Sequence, residues 1–152
     1  MKGVDRIMQR RKSNRRDIQF YSKKNNALII VHTQKAHDYA KRLEQDETVA
    51  GYRACELLLP NKFEGVSPTY IRKEYFPKAD GSGANWETDF LIEYTDGRRG
   101  IREIVYKAEF TPTAVQLLEL SRRYWVAQGI DDWKIVLFAK PGEFTEDSED
   151  VG

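Results

Sequence analysis

Soft metal ligands and long apolar runs are both scarce in this sequence of 152 residues. The single cysteine, Cys55, excludes an internal disulfide and is typical of a reducing compartment. Because His32, His37 and Cys55 are the only soft ligands, a structural zinc site is not expected. The longest apolar run, residues 27–31, is far shorter than the roughly 20 residues that span a bilayer, and no secretory leader is recognised. The composition therefore predicts a cytoplasmic protein with no membrane partner.

Bulky side chains are plentiful by contrast. The chain has 7 Phe, 8 Tyr and 3 Trp, and 40% of its residues are hydrophobic, which is enough to build a packed core. Cys55 lies among leucines and is predicted to be a buried hydrophobic residue rather than a nucleophile. We expect one domain at residues 20–140, a basic flexible arm at residues 1–19 and an acidic tail at residues 141–152.

The net charge of +1 conceals an uneven distribution of charge. Residues 1–24 contain nine basic and two acidic residues, whereas the segment from Pro141 onward contains five acidic residues and no basic one. An arginine-rich arm is typical of a segment that binds DNA phosphates. A protein bound to DNA in this way would be nucleoid-associated. The alternative is that the arm is simply a solvated terminus. The residues predicted to bind nucleic acid are Arg10, Arg11, Lys12, Arg15, Arg16, Lys23 and Lys24.

The hydrophobic pattern predicts an α/β fold with a small mixed sheet flanked by helices. Four segments have the composition of strands: residues 27–32, 69–76, 86–94 and 101–108. The last three are predicted to form an antiparallel meander, with the Asp96-Gly97 turn joining its second and third strands. Residues 52–59 fit either a helix or a strand.

Two helices complete the predicted order of helix, three-stranded meander, helix and strand. Thr33 is positioned to cap the first helix, and Thr113 is positioned to begin a second helix that ends near Gly129. The continuous apolar run at residues 133–139 predicts a buried strand. A strand reached through such a helical crossover is expected to be parallel to the strand before it.

Acidic residues and a lysine fall on one face of the predicted meander. Alternation places Glu87 and Asp89 on the same face of one strand, and Glu103 and Lys107 on the same face of the next. We expect Asp89 and Lys107 to be neighbours, with the two glutamates close by. Carboxylates arranged in this way can hold a divalent cation beside an ammonium group, although charge pairing on a solvated sheet face is the alternative.

Three segments of the chain resemble the core of PD-(D/E)xK nucleases. They are Asp89-Phe90-Leu91-Ile92, the Asp96-Gly97 turn and Ile104-Val105-Tyr106-Lys107. Within that superfamily the chain is most similar to the TnsA-type endonuclease subunit of heteromeric transposases. The segments around Leu43-Glu44, Arg123-Tyr124-Trp125 and Asp132-Trp133-Lys134 are also similar. The resemblance covers about residues 20–139, which corresponds to the catalytic domain, and implies a restriction-endonuclease-like fold.

The resemblance also implies a function. It implies cleavage of phosphodiester bonds in double-stranded DNA, dependent on Mg²⁺ or Mn²⁺, alongside a DDE transposase subunit and an ATPase regulator. Asp89 would be the shared metal ligand and Lys107 the catalytic lysine. Glu103, as a second metal ligand, or Glu119, on the following helix, would complete the site.

Two positions depart from the family pattern. Val105 stands where a carboxylate or an amide is usual, and Ala36 stands where the first helix usually carries a metal-binding glutamate. A second hypothesis is therefore a catalytically degenerate subunit that binds DNA or assists assembly. A third is a protein-interaction domain in which Asp89 and Lys107 only form an ion pair.

Overall fold

The computed structural model describes residues 17–139, which form two α-helices and six strands. The helices are α1 (Gln34–Gln45) and α2 (Pro112–Ala127). The strands are β1 (Ile18–Ser22), β2 (Ala27–Val31), β3 (Val49–Leu57), β4 (Glu87–Tyr94), β5 (Arg99–Tyr106) and β6 (Trp133–Phe138). Among the described residues, neither helix has the length and apolar character needed to cross a membrane. The predicted acidic tail and most of the predicted arm lie outside the described residues; β1 begins two residues before the predicted boundary at residue 20.

The strands form two separate sheets. β1 and β2 pair as an antiparallel hairpin, and the other four strands form a mixed sheet in the order β3-β4-β5-β6. β4 is antiparallel to both β3 and β5, whereas β6 is parallel to β5. The predicted parallel strand after the second helix is therefore confirmed, and so is the mixed α/β class.

The first strand of the meander is β3, and the prediction of a strand at residues 69–76 is wrong. That segment contains a 3₁₀ turn at Lys73–Tyr75, and Tyr70 has a left-handed backbone with φ +66°. Its side chains do not alternate between buried and exposed, since Ile71 and Tyr75 are buried but all three residues between them are exposed. The ambiguous segment 52–59 supplies most of the edge strand instead, with Ala54 opposite Phe90 of β4.

Side-chain caps fix where the helices begin. The Thr33 hydroxyl accepts a hydrogen bond from the Ala36 N–H at 3.2 Å, as predicted. The second helix begins two residues earlier than predicted, because Thr111 is its cap and Pro112 occupies the first helical position. Proline is favoured there because its ring fixes φ at a helical value, and because an N–H at this position would have no partner within the helix. Gly129, with φ +90°, ends this helix as predicted.

The four-stranded sheet has an apolar core on each face. Phe90, Ile92 and Ile104 point toward α1, and Leu91, Ile101 and Val105 point toward α2. Burial on both faces explains the continuous apolar runs Phe90-Leu91-Ile92 in β4 and Ile104-Val105-Tyr106 in β5. Polar side chains in the middle of these strands are therefore exceptions that need hydrogen-bond partners.

Glu44 joins the hairpin to the rest of the domain. Its carboxylate accepts hydrogen bonds from the Ser22 hydroxyl, the Tyr52 hydroxyl and the Lys24 N–H. Burial alone would raise the pKa of Glu44, but the hydrogen bonds from Ser22 and Tyr52 outweigh it and the pKa is lowered. Burial in the core raises the pKa of the Tyr52 hydroxyl, and its hydrogen bond to Glu44 raises it further. Glu44 thus holds β1, β3 and α1 together.

Candidate functional site

The candidate site lies where β4 and β5 stop pairing. Their paired residues run from Glu93–Arg99 to Phe90–Arg102, so Asp89 and Glu103 are the next residues along each strand. Both side chains are buried: Asp89 is 5% exposed and Glu103 is fully enclosed. The sequence prediction that these two acids lie close together therefore agrees with their positions.

Each of the two carboxyl groups satisfies a backbone N–H of the opposite strand. Oδ2 of Asp89 accepts from the Ile104 N–H at 2.7 Å, and Oε1 of Glu103 accepts from the Asp89 N–H at 3.3 Å. Backbone donors buried beyond the end of a strand pair need such partners, because an unpaired buried N–H costs free energy. The two side chains thus replace part of the missing sheet hydrogen bonding.

The second carboxylate oxygen of Glu103, Oε2, accepts two hydrogen bonds. It accepts from the Trp86 indole N–H at 3.1 Å and from the Ser121 hydroxyl at 2.7 Å. The Ser121 oxygen in turn accepts from the Trp133 indole N–H at 3.1 Å. Hydrogen bonds from polar donors are what allow a carboxyl group to remain in an apolar interior. Glu103 is therefore enclosed by the layer between the sheet and α2 rather than opened to solvent.

The partners of Glu103 were missed at the level of sequence, although one signal pointed to them. Ser121 occupies a helical position that the apolar spacing of α2 assigns to the buried face. A polar residue there predicts a buried hydrogen-bond partner on the neighbouring sheet. Trp86 carries no such signal, since it immediately precedes β4 and follows a glycine-rich loop.

Lys107 does not join the two acids in an ion pair. β5 ends at Tyr106, and Lys107 is the exposed first residue of a 3₁₀ turn that runs to Glu109. Asp89 and Lys107 are both within the described residues, and no ion pair connects them. The structure therefore shows no contact between the Lys107 ammonium and the Asp89 carboxylate, which were predicted to be neighbours.

Glu119 pairs with arginines of its own helix. Its carboxylate bonds to Arg122 at 2.7 Å and to Arg123 at 2.8 Å. Hydrogen bonds from Arg122 are the main cause that lowers the pKa of Glu119, against the opposing effect of burial. Ser121, two residues away on the helix, is the member of α2 that faces Glu103.

Apolar side chains occupy the two positions that depart from the nuclease pattern. Val105 is fully buried in the core on the α2 side, and Ala36 is 3% exposed in the core on the α1 side. Neither position offers a ligand atom to a cation. Hard cations such as Mg²⁺ need oxygen ligands, and a single carboxylate offsets little of their dehydration.

A buried lysine lies beside the alanine of the first helix. Lys35 is completely enclosed, its ammonium donates to the Glu109 carboxylate, and it lies 4.5 Å from the centre of the Tyr106 ring. Glu109 also accepts from the Tyr106 N–H at 2.9 Å. The nuclease resemblance implies a glutamate on the first helix and a lysine after β5. Here the charges are exchanged, since α1 contributes Lys35 and the segment after β5 contributes Glu109.

Most residues of the predicted nucleic-acid interface lie outside the described residues. Arg10, Arg11, Lys12, Arg15 and Arg16 belong to that group. Lys23 is exposed in the turn between β1 and β2. Lys24 uses its ammonium to donate to the carbonyl oxygens of Asp46 and Val49, at 2.9 and 2.8 Å, which makes it a link to the α1–β3 connection.

Comparisons with known proteins do not identify a family. No model of a protein family matches the chain, and no curated protein matches it. The resemblance to PD-(D/E)xK nucleases therefore stays a prediction from the residues themselves.

Proposed function

We propose that the chain is a DNA-binding or assembly subunit with a restriction-endonuclease-like fold, related to TnsA-type subunits, whose metal site has been lost. The element order supports this fold: α1, an antiparallel meander of β3, β4 and β5, then α2 and the parallel strand β6. This order is the one that the resemblance implies, with Asp89 at the start of the central strand.

The enclosure of Glu103 carries the proposal. A catalytic cation needs carboxylate oxygens that are free to bind it, together with an open path for DNA phosphate and water. Here the Glu103 oxygens already accept from Trp86, Ser121 and the Asp89 N–H, and the side chain has no exposed surface. A magnesium ion therefore does not fit this carboxyl group as it is arranged.

The other positions of the expected site support the same conclusion. Ala36 and Val105 are buried apolar residues, and the adjacent Lys35 is neutralised by Glu109. We infer that this region stabilises the fold, and that DNA recognition falls to the basic amino-terminal segment.

Electrostatics supports duplex DNA as the partner. The nine basic residues among residues 1–24 include two pairs of adjacent arginines, and arginine binds phosphate oxygens with a rigid fork of donors. Each phosphate that such a residue neutralises releases counterions, so affinity falls steeply with salt. In this proposal the protein contributes DNA contacts to an assembly that includes a DDE transposase.

Fluorescence anisotropy with labelled duplex DNA across a salt series tests this proposal. Replacing Arg10, Arg11, Lys12, Arg15 and Arg16 by alanine is expected to weaken binding and to reduce the slope of log K against log salt by about 3 to 4.5, at about 0.9 per phosphate contact. The control changes two exposed bases elsewhere, Lys41→Ala with Lys62→Ala, and is expected to change the slope less. An unchanged slope in the five-residue variant, or no binding by the wild type at low salt, contradicts the proposal.

One observation favours a second candidate, a metal-dependent endonuclease. Asp89 and Glu103 are hydrogen-bonded neighbours at the point where β4 and β5 separate, which is where the resemblance implies metal ligands. Cleavage would require Trp86 and Ser121 to release the Glu103 carboxyl group when DNA binds. Cleavage assays with variants of Asp89 distinguish the two candidates.

A further inference from the structure

We propose that His32, Cys55 and Glu87 form a binding site for a borderline divalent metal ion of the zinc type. One ligand atom from each of these residues, an imidazole nitrogen, the thiol sulfur and a carboxylate oxygen, lies within 4.8 Å of the other two. The set is separate from the pair of Asp89 and Glu103. It also differs from a four-ligand structural zinc site, which the scarcity of soft ligands argues against.

Three positions that are remote in sequence supply the ligands. His32 directly follows β2, Cys55 lies in β3 and Glu87 is the first residue of β4. All three side chains are partly buried, and those of His32 and Glu87 are 15% and 26% exposed. This degree of exposure leaves a path from solvent for an ion while the surrounding strands hold the ligands in place.

The spacing of the ligand atoms suits a tetrahedral ion. His32 Nε2 lies 3.5 Å from a Glu87 carboxylate oxygen. Two such atoms bound to zinc at about 2.1 Å in tetrahedral geometry are about 3.4 Å apart. The Cys55 sulfur lies within 4.8 Å of a ligand atom of each of the other two residues, so binding would draw it closer to complete three ligands and leave a fourth position for water.

A fourth residue orients the imidazole for this task. Nδ1 of His32 lies 2.7 Å from Oδ1 of Asp17, so a proton on Nδ1 is held by the carboxylate and Nε2 is left as the acceptor. Metal-binding histidines characteristically have a carboxylate or carbonyl partner on the nitrogen that does not bind the metal. The contact between Asp17 and His32 thus provides the carboxylate partner that a metal-binding histidine usually has.

The backbone of Cys55 supports a role beyond packing. Its φ of +60° is left-handed, which is uncommon for a residue with a side chain and rarer still within a strand. No β3–β4 pair is formed at Cys55, between the Ala54–Phe90 and Glu56–Thr88 pairs. Strained backbone of this kind is often found at binding sites. The sequence prediction that Cys55 is a buried hydrophobic residue is wrong, since its side chain is only partly buried and lies beside His32 and Glu87.

The ligand set selects the class of metal. Thiolate and imidazole bind Zn²⁺ or Co²⁺ well and Mg²⁺ or Ca²⁺ poorly. Binding forms a bond between the metal and the Cys55 sulfur, and the thiol proton passes to solvent. Thiolate and carboxylate together neutralise the two positive charges of the ion, so the occupied site carries no net charge.

Cobalt titration of the full-length chain under non-thiol reducing conditions tests the proposal. Because Cys55 is the only cysteine, a thiolate-to-cobalt charge-transfer band can arise from this residue alone. We expect the band to saturate at one Co²⁺ per chain, to disappear on addition of Zn²⁺ and to be absent from Cys55→Ser. Carboxylates of the acidic carboxyl-terminal segment cannot produce this band.

The variants separate a metal site from a chance cluster. His32→Gln and Glu87→Gln are expected to lower zinc affinity strongly, because each removes a ligand. Asp17→Asn removes no ligand and is expected to lower the affinity about 10- to 100-fold, because Asp17 only orients the His32 imidazole. Asp17 is 71% exposed, so that variant is expected to fold normally, and His37→Gln is the matched histidine control with unchanged affinity. A wild-type protein without the charge-transfer band overturns the proposal. Zinc affinity that is unaffected by His32→Gln, Glu87→Gln and Asp17→Asn overturns it as well.

Discussion

Replacing Glu103 by alanine is predicted to destabilise the domain rather than to remove a catalytic group. The side chain is fully buried and accepts hydrogen bonds from the Trp86 indole, the Ser121 hydroxyl and the Asp89 N–H. Its removal leaves all three donors without this partner and opens a cavity beneath α2. Both effects lower the free energy of unfolding.

The magnitude follows from the number of donors. A buried donor that loses its partner costs about 1–3 kcal/mol, and the removal of one member of a buried charged network costs about 3–5 kcal/mol in total. The three contributions do not add fully, because water can enter the new cavity and satisfy some donors. We therefore expect Glu103→Ala to lower the free energy of unfolding by about 3–5 kcal/mol, a large part of the total stability of a small domain.

Urea unfolding followed by tryptophan fluorescence measures this change. Trp86, Trp125 and Trp133 are all buried, so unfolding exposes every tryptophan of the chain. With a slope of about 2 kcal/mol per molar urea, the predicted loss lowers the midpoint by roughly 2 M. Glu119→Ala is the control, since its partly exposed ion pairs with Arg122 and Arg123 contribute at most about 1 kcal/mol each. A loss below about 1 kcal/mol for Glu103→Ala would refute the structural role of this network.

Two further predictions concern buried charges outside this network. Glu109→Ala is expected to destabilise the domain by about 3 kcal/mol, because it leaves the enclosed Lys35 ammonium without its carboxylate. Lys35→Met is expected to cost less than about 1.5 kcal/mol, because Glu109 is partly exposed and still accepts a hydrogen bond from the Tyr106 N–H. Equal losses in urea unfolding would contradict this asymmetry. Glu44 has a lowered pKa in the folded state, so its contribution is present above the ordinary glutamate pKa of 4.5 and is lost as pH falls through the folded pKa. The stability difference between wild type and Glu44→Gln is therefore expected to be largest near pH 7 and to shrink below about pH 4.5; a difference that grows on acidification would show the reasoning to be wrong.

Local patterns in the sequence predicted much of the fold. Thr33 and Gly129 marked helix ends through backbone chemistry that depends on a few neighbouring residues. The apolar run of β6 predicted a strand buried on both faces, and the crossover rule then gave its direction. These features need no knowledge of distant contacts.

The error in the meander has a physical origin. Alternating side chains at residues 69–76 and at 52–59 are similar evidence for a strand, and only tertiary pairing decides which segment occupies the sheet edge. β3 pairs with β4 from Val49 to Leu57, which leaves no edge on that side of β4 for a second partner. The segment with Ile71 and Tyr75 instead packs into the core as a turn.

The candidate site shows the same limit. The neighbourhood of Asp89 and Glu103 could be predicted because both lie on adjacent strands with regular alternation. Enclosure by Trp86 and Ser121 could not, because it depends on how α2 packs against the sheet. The cluster of His32, Cys55 and Glu87 has no spacing motif, since His32 follows β2 whereas Cys55 and Glu87 lie in β3 and β4.

Cleavage of supercoiled plasmid DNA in the presence of Mn²⁺ tests the central claim most directly, with Asp89→Asn as the matched control for contaminating nucleases. Since Glu103 is closed to solvent and Ala36 and Val105 offer no ligand atom, we expect wild-type protein to produce no more nicked plasmid than Asp89→Asn does. Nicking that depends on Mn²⁺ and is lost in both Asp89→Asn and Lys107→Ala would contradict the account and establish the protein as an active endonuclease.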